Sequence, residues 1–441
     1  MSAFIQDVTA APVFARRVAR LGTENAFTIG PAIRQLEALG KRVIRCNLGE
    51  PDFPLPSHVA EEVKRRIDAG ETHYCDPQGI EPLRAAIART AGERRGLKLT
   101  PDRVVVFPGA KPPIGFAQQV YCNRGDQVVY PSPGFPIYES FTGFVGAVPM
   151  PLHLREKEGF TFHPADLEEV IGGRTRLLYL NFPSNPTGGV ASREQLEEIA
   201  GVVRREAPGA MRVYSDEVYE DILFDGAVHS SIASLREMEE RTIIVSGVSK
   251  SYAWTGGRVG WAIFPTAEEA AVFRNLNINY FSCVPAYNQH GARVAIESPE
   301  SGPAIARMVA AFSSRRDLVV ERLNAMEGVT CQKPRGAFYA FPNIEGLCRR
   351  LGVFDAWMSL ADGVRGRISP ATLFQQFLLF EYQVATLDRR SFGVIGAEGK
   401  EYLRISIATA IDELAEAMRR MATAAADHAG FRRFFDERRY V

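Results

Sequence analysis

Lys250 ends an apolar run, and Arg258 follows it eight residues later, in SGVSKSYAWTGGRVG, residues 246–260. A lone lysine is usually a solvated charge, but an amine enclosed by protein is a nucleophile toward carbonyl groups. Three other apolar runs stop as abruptly in polar residues: VVVFPGAK from Val104, LLYLNFPSNPTG from Leu177 and RVYSDEVY from Arg212. In the first, Gly109, Ala110 and Lys111 precede Pro112 and Pro113, a glycine turn feeding a helix whose free amides hold a phosphate. An ordinary strand-to-helix turn reads the same way. In the second, proline fills the middle of NPTG and excludes glycosylation, so the stretch is a tight turn or a means of pointing Asn185 into a pocket. In the third, Asp216 either caps a following helix or neutralises a cation, and Tyr219 shares its helix face.

Together these residues suit one chemistry. A lysine that forms a Schiff base needs a carbonyl cofactor, an acid partner for that cofactor's pyridine nitrogen and a phosphate anchor. Lys250, Asp216 and the Gly109 turn with Arg258 supply the set from separate strand ends.

The elements that must position them follow from the pattern of the chain. Between about Val104 and Val245, short apolar runs alternate with helical stretches such as SREQLEEIAGVVRRE, residues 192–206, which predicts a parallel α/β sheet. Open parallel sheets bind ligands at the carboxyl ends of their strands, so four chemically loaded ends predict one pocket. After about residue 330, RGAFYAFPNI and KEYLRISIAT read as strands, and FQQFLLFEY and DELAEAMRRMATAAADH as helices, which predicts a smaller second domain. The expected division is residues 1–47 as an arm and part of the small domain, 48–330 as the large domain, and 331–441 as the rest of the small one.

Composition excludes several alternatives. Lysine plus arginine equals aspartate plus glutamate at 52 each, so there is no basic field for nucleic acid or an anionic membrane. The 441 residues are 46% hydrophobic, enough for two packed domains. The six cysteines contain no CxxC pair, against a zinc knuckle or disulfide framework and in favour of a reducing cytoplasm. MSAFIQDVTAAPVFARR lacks the features of a signal peptide, and no run reaches the roughly 20 apolar residues of a membrane span. The expectation is a soluble protein acting on small molecules.

The order of motifs is more specific than any one of them: NLGEPDF at 47, HYCDPQGIEPLR at 73, PGAK at 108, SPGFPIYES at 132, NFPSNPTG at 181, SDEVYE at 215, SKSYAWTGGRVG at 249, RGAFYAF at 335 and LRIS at 403. From about Ala15 to Ala422 the chain resembles the class I/II, aspartate aminotransferase family of pyridoxal-phosphate enzymes of fold type I. That resemblance implies an α/β fold with a large domain built on a mostly parallel seven-stranded sheet, and a smaller α+β domain from both termini. It implies that Lys250 carries pyridoxal 5'-phosphate, that Asp216 pairs with the pyridinium nitrogen, and that Asn185 and Tyr219 contact the 3-hydroxyl. Arg258, Ser249 and the amides of Ala110 and Lys111 at the Gly109 turn hold the phosphate, Phe135 stacks on the ring, and Arg404 with the Gly49 backbone takes the substrate α-carboxylate. Tyr74 matches a tyrosine that reaches the neighbouring subunit's phosphate, so a homodimer with shared active sites is implied. The implied reaction moves the amino group of an L-amino acid, aspartate or an aromatic one, to a 2-oxo acid such as 2-oxoglutarate in ping-pong steps.

Departures from the family pattern bear on substrate. Gly247 stands where many relatives have a phosphate-binding serine, for which Ser249 or Ser246 would compensate. TLDRRSFG at 386 brings Asp388, Arg389 and Arg390 near the expected substrate entrance. LGTENAF at 21 places Glu24 and Asn25 where dicarboxylate-specific relatives offer small hydroxyl residues, and an acid there would repel a second substrate carboxylate or pair with Lys111. The stretch from Ile344 to Phe380 is longer than usual, with Trp357 as an ordinary core residue or part of a lid. The tail HAGFRRFFDERRYV is expected to pack on its own dimer rather than bind nucleic acid. A lyase, decarboxylase or 1-aminocyclopropane-1-carboxylate-synthase-like enzyme shares these motifs. A regulator's effector module and a nicotinamide dehydrogenase are disfavoured, the first by the short N-terminal stretch and the second by the lack of GxGxxG after a strand.

Overall fold

A computed structural model of the chain describes residues 13–438. Most of the stretch assessed as a signal peptide, residues 1–12, lies outside the described residues. Seven runs form one sheet: β1 Val104–Phe107, β2 Gln127–Ser132, β3 Val148–His153, β4 Thr175–Asn181, β5 Arg212–Asp216, β6 Thr242–Gly247 and β7 Gly260–Ile263, in the order β1-β7-β6-β5-β4-β2-β3. Only β7 opposes the others, lying antiparallel between β1 and β6. β1 and β6 are buried at every position, which demands cover on both faces of the sheet. Helices supply it. Leu178, Leu180 and Val213 pack toward Leu196, Ile199 and Val203 of the helix Arg193–Glu206, started by a Ser192–Gln195 capping box. Tyr179 and Tyr214 face the other side, with Ile114 and Phe116 of the helix Pro112–Tyr121.

Register brings the strand ends level. Asn181 pairs with Asp216, Asp216 with Val245, and Gly260 lies between Gly247 and Phe107. The polar residues that end these strands therefore emerge along one edge.

The C-terminal part builds a second, antiparallel sheet from β8 Tyr339–Ala340, β9 Leu387–Asp388 and β10 Leu403–Ser406, in the order β9-β10-β8. β8 is shorter than RGAFYAFPNI suggests because Ala337 takes a φ of 56°, which breaks the extended run. The helices Pro370–Tyr382 and Ile411–Ala426 close a core around Phe338, Phe374, Phe377, Leu414 and Met418. The N-terminal residues serve both parts: Ile33 and Leu36 pack on Leu379 and Ala385, while the Gly22 amide donates to Ser140 Oγ at 2.9 Å beside the large sheet.

Two expectations are settled by packing. Trp357 donates from Nε1 to the Ile368 carbonyl at 2.8 Å and lies against the C-terminal core. The tail helix His428–Asp436 buries Phe431 and Phe434 against Phe377 of its own chain, and residues 439–441 of the tail lie outside the described residues. Among the described residues no helix is long and apolar enough to cross a membrane.

Candidate active site

A cavity of about 490 Å³ opens at the level strand ends, and Gly49, Ala110, Lys111, Phe135, Asn185, Asp216, Tyr219, Ser249, Lys250, Arg258 and Arg404 all line it. Gly109 lies directly behind Arg258, while Tyr74 is 88% exposed and does not line this chain's cavity.

Lys250 Nζ donates to the Gly49 carbonyl at 2.6 Å. Burial, with the Arg404 guanidinium nearby, pulls this amine down to about 8, against the opposing pull of Glu50 and Glu24. Carbamylation of Lys250 by cyanate in the ligand-free chain, followed by peptide mass spectrometry, is therefore expected to reach half its maximum near pH 8. Exposed lysines, with an ordinary pKa of about 10.4, react later in the titration. A midpoint for Lys250 coinciding with theirs would show that the site does not perturb it.

Asp216 Oδ2 accepts from the Tyr138 hydroxyl at 2.6 Å, and its buried Oδ1 has no hydrogen-bond partner among the described residues. Burial pushes the carboxyl up to about 6 even though the Tyr138 hydroxyl and the Val218 amide favour the charged form. The helix expected after it does not form: residues 218–221 are a turn, so Asp216 caps nothing and shares no helix face with Tyr219. The reason lies in Glu217, whose amide donates to the Val245 carbonyl at 2.8 Å. Its buried carboxylate is tied to Ser215 and Ser231 at 2.6 Å each, to His229 at 2.8 Å and to Arg95. This network diverts the chain, and Tyr219 reaches the cavity with its hydroxyl 2.8 Å from that of Tyr339.

The Gly109 turn is a backbone cradle. Gly109 has φ of 92°, and a Cβ there would lie 2.0 Å from Arg258 Nη2. A Cβ on Gly260 would lie 2.4 Å from the Ala110 amide nitrogen. Arg258 donates to the Thr255 and Pro108 carbonyls at 2.8 and 3.1 Å. At Gly247 a side chain has no room, since a Cβ would meet Gly260 Cα at 2.9 Å. Of the two serines considered in its place, Ser246 turns to Glu220 and Ser249 lines the cavity.

Arg404, 3% exposed, donates to Asn185 Oδ1 at 3.0 Å and the Asn47 carbonyl at 2.5 Å, between the Tyr339 and Phe392 rings. Its Nε has no partner. The expectation for the DRRS loop is corrected. Asp388 and Arg389 are buried and do not line the cavity, and neither does Arg390: Asp388 receives Ser391 and Thr372, Arg389 donates to the Gly393 carbonyl and Ser132 Oγ, both at 2.7 Å, and Arg390 donates to the Gly366 carbonyl at 3.0 Å. No residue of 344–380 lines the cavity either, so the structure gives that segment no lid contact.

Tyr138, Tyr339 and Asn181 were not singled out from sequence. Tyr138 holds Asp216, Tyr339 lines the cavity, and Asn181 donates to the Asp216 carbonyl at 3.0 Å while receiving the Asn185 amide at 2.8 Å. The signal available was that a buried carboxylate needs donors, but the donor comes from a helix 78 residues away.

Comparison with known proteins decides the family. The model for aminotransferase class I and II matches residues 41–421. The chain belongs to that family. It is similar to an aspartate aminotransferase of Pyrococcus abyssi, 35% identical over 384 residues that cover 86% of this chain and 91% of the relative. It is also similar to an aromatic-amino-acid aminotransferase of Thermococcus litoralis, 34% identical over 382 residues, covering 86% and 90%. The solved aspartate aminotransferase from Rhizobium meliloti superposes with a TM-score of 0.83 at 30% identity, covering 94% of this chain and 99% of that one. The fold is that of the fold-type I aminotransferases, and the enzyme is an aminotransferase of a family that uses pyridoxal phosphate.

Proposed function

We propose that this aminotransferase holds pyridoxal 5'-phosphate through Lys250, Asp216 and the Gly109 turn, and moves the amino group of an L-amino acid to a 2-oxo acid. The observation that carries this reading is an enclosed lysine amine sharing one cavity with a buried carboxylate whose Oδ1 lacks a partner. The fit is specific. An unpartnered buried carboxylate oxygen is costly unless a donor arrives, and a protonated ring nitrogen is such a donor. The close approach of Gly109, Gly260 and Arg258 brings backbone and guanidinium together at the cavity wall, where Ala110 and Lys111 offer their amides to a phosphate.

When bound, the cofactor supplies an electron sink for the bond broken at the substrate's Cα. The chain's residues do the rest. Asp216 would keep the proton on the ring nitrogen, Asn185 and Tyr219 would bind the 3-hydroxyl, and Phe135 would pack on the ring. Arg258, Ser249 and the Ala110 and Lys111 amides would hold the phosphate. Asn185 Oδ1 is occupied by Arg404, so the Nδ2 group is the donor it has to offer. Arg404 receives the α-carboxylate with its guanidinium fork, which a lysine would not match, and the Gly49 backbone completes that position. Lys250, with its amine near neutrality, takes and returns the proton at Cα. The exposed Tyr74 supports a homodimer in which that hydroxyl completes the partner's phosphate site, and the six unpaired cysteines support a reducing cytoplasmic setting.

A donor and acceptor panel tests the reading. Formation of a 2-oxo acid is expected only when an acceptor oxo acid is added, with the parallel double-reciprocal lines of a ping-pong reaction. Acceptor-independent release of ammonia or carbon dioxide would instead assign lyase or decarboxylase chemistry.

A further inference from the structure

Glu24 and Lys111 both line the cavity and are ion-paired through Glu24 Oε1 and Lys111 Nζ. Four cations face this space, and their engagements differ. Arg258 donates to the carbonyls of Thr255 and Pro108, Lys250 to that of Gly49, and Arg404 to Asn47 and Asn185. Among the described residues Lys111 alone of the four is paired with a carboxylate. An amino acid with a second carboxylate needs a second cation, and with Arg404 and Arg258 committed to the α-carboxylate and the phosphate, Lys111 is the candidate. Glu24 already occupies it.

The Glu24 carboxylate also faces inward. Its side chain is 16% exposed, and its charge is felt at Lys250 and Arg404, where burial remains the larger influence. A dicarboxylate entering here must break the Glu24–Lys111 pair and then leave Glu24 beside a like charge. Around the pair the wall is aromatic. Lys111 Nζ lies 5.7 Å from the Phe27 ring centre and 5.6 Å from that of Phe135. Phe27 is 63% exposed at the cavity wall.

We infer that Glu24 discriminates against dicarboxylic donors by neutralising Lys111, and that the preferred donor carries an uncharged aromatic side chain received by Phe27. The inference rests on the aminotransferase reading and on Arg404 as the α-carboxylate site. Offset stacking favours a ring beside the Phe27 wall, and a basic side chain would have to displace Lys111 from Glu24.

The holoenzyme is assayed with phenylalanine, aspartate and lysine as donors and pyruvate as acceptor, because 2-oxoglutarate carries the same second carboxylate. Wild type is expected to favour phenylalanine over aspartate by at least about tenfold in kcat/KM, the ratio set by roughly 1.4 kcal/mol. Glu24→Gln is expected to narrow that ratio about tenfold, mainly through a lower KM for aspartate, whereas Glu24→Asp keeps the charge and the preference. Calorimetry with succinate and 3-phenylpropanoate gives a readout without turnover: Glu24→Gln tightens succinate with no matching gain for 3-phenylpropanoate. A wild type that prefers aspartate or lysine, or a Glu24→Gln ratio equal to wild type, overturns the inference. Failure of every donor to yield a 2-oxo acid sinks the functional reading instead.

Discussion

Lys250→Ala is expected to abolish transamination, lowering kcat by at least about 10⁴-fold, roughly 5.4 kcal/mol of barrier. One amine has two tasks in the proposed reaction, attaching the cofactor and moving the proton at Cα, and no other lysine amine is placed to replace it. Lys111, the cavity's other lysine, is held by Glu24. The loss should be chemical and not structural. Lys250 makes one hydrogen bond, to the Gly49 carbonyl, and its burial costs the charged amine solvation, so the ligand-free variant should melt no lower than wild type. The Gly109 turn and Arg258 are untouched, so the phosphate still binds and the cofactor copurifies in part without the yellow colour of its lysine adduct. Small primary amines added to the assay should restore a fraction of turnover by entering the space the side chain vacates. Spectra, melting curves and amine rescue separate these effects, and a variant that keeps both colour and turnover removes the assignment of Lys250.

How much of this was legible beforehand depends on whether a feature is local. The strand ends carry their chemistry in consecutive residues, so Lys250, Asp216, Asn185 and the Gly109 turn could be read from runs that stop in polar residues. The level register of Asn181, Asp216 and Val245 then brings them together, as strand ends of one parallel sheet must. DEVYE has helical spacing, yet a turn follows Asp216, because Glu217 is captured by Arg95 from a distant helix and by His229 and Ser231 from the segment that follows. Propensity lost to a buried ionic network. The charges of the DRRS loop are a related case: two consecutive arginines look solvated, yet Arg389 is buried, with backbone carbonyls and Ser132 accepting from its two Nη groups. Glu24 was legible as a departure, but its choice between repelling a carboxylate and pairing with Lys111 required the fold.

Asp216→Asn is expected to act in opposite directions on stability and on catalysis. In the folded chain the carboxyl is raised to about 6 from an ordinary 3.8, so the native state holds this proton more tightly than the unfolded chain does. The sign follows from linkage: stability of the cofactor-free protein falls as pH rises from about 4 to about 6, and the penalty persists above that range. At about 1.36 kcal/mol per pH unit it amounts to roughly 3 kcal/mol at pH 8. Asparagine carries no charge and can still accept from Tyr138, so the cofactor-free variant should be the more stable protein at pH 8, with the advantage gone below about pH 4. Pyridoxal phosphate reverses the comparison. The carboxylate whose Oδ1 lacks a partner gains the ring N–H, whereas a neutral amide leaves that nitrogen unprotonated and the electron sink weak. Turnover should fall about 10³-fold, roughly 4 kcal/mol of barrier, and the cofactor should raise the melting temperature of wild type more than that of the variant. Melting curves across pH with and without cofactor, together with single-turnover rates, check both signs. A variant less stable than wild type at pH 8 without cofactor, or equal to it in rate, would mean that Asp216 is a structural acid whose charge the protein has already satisfied.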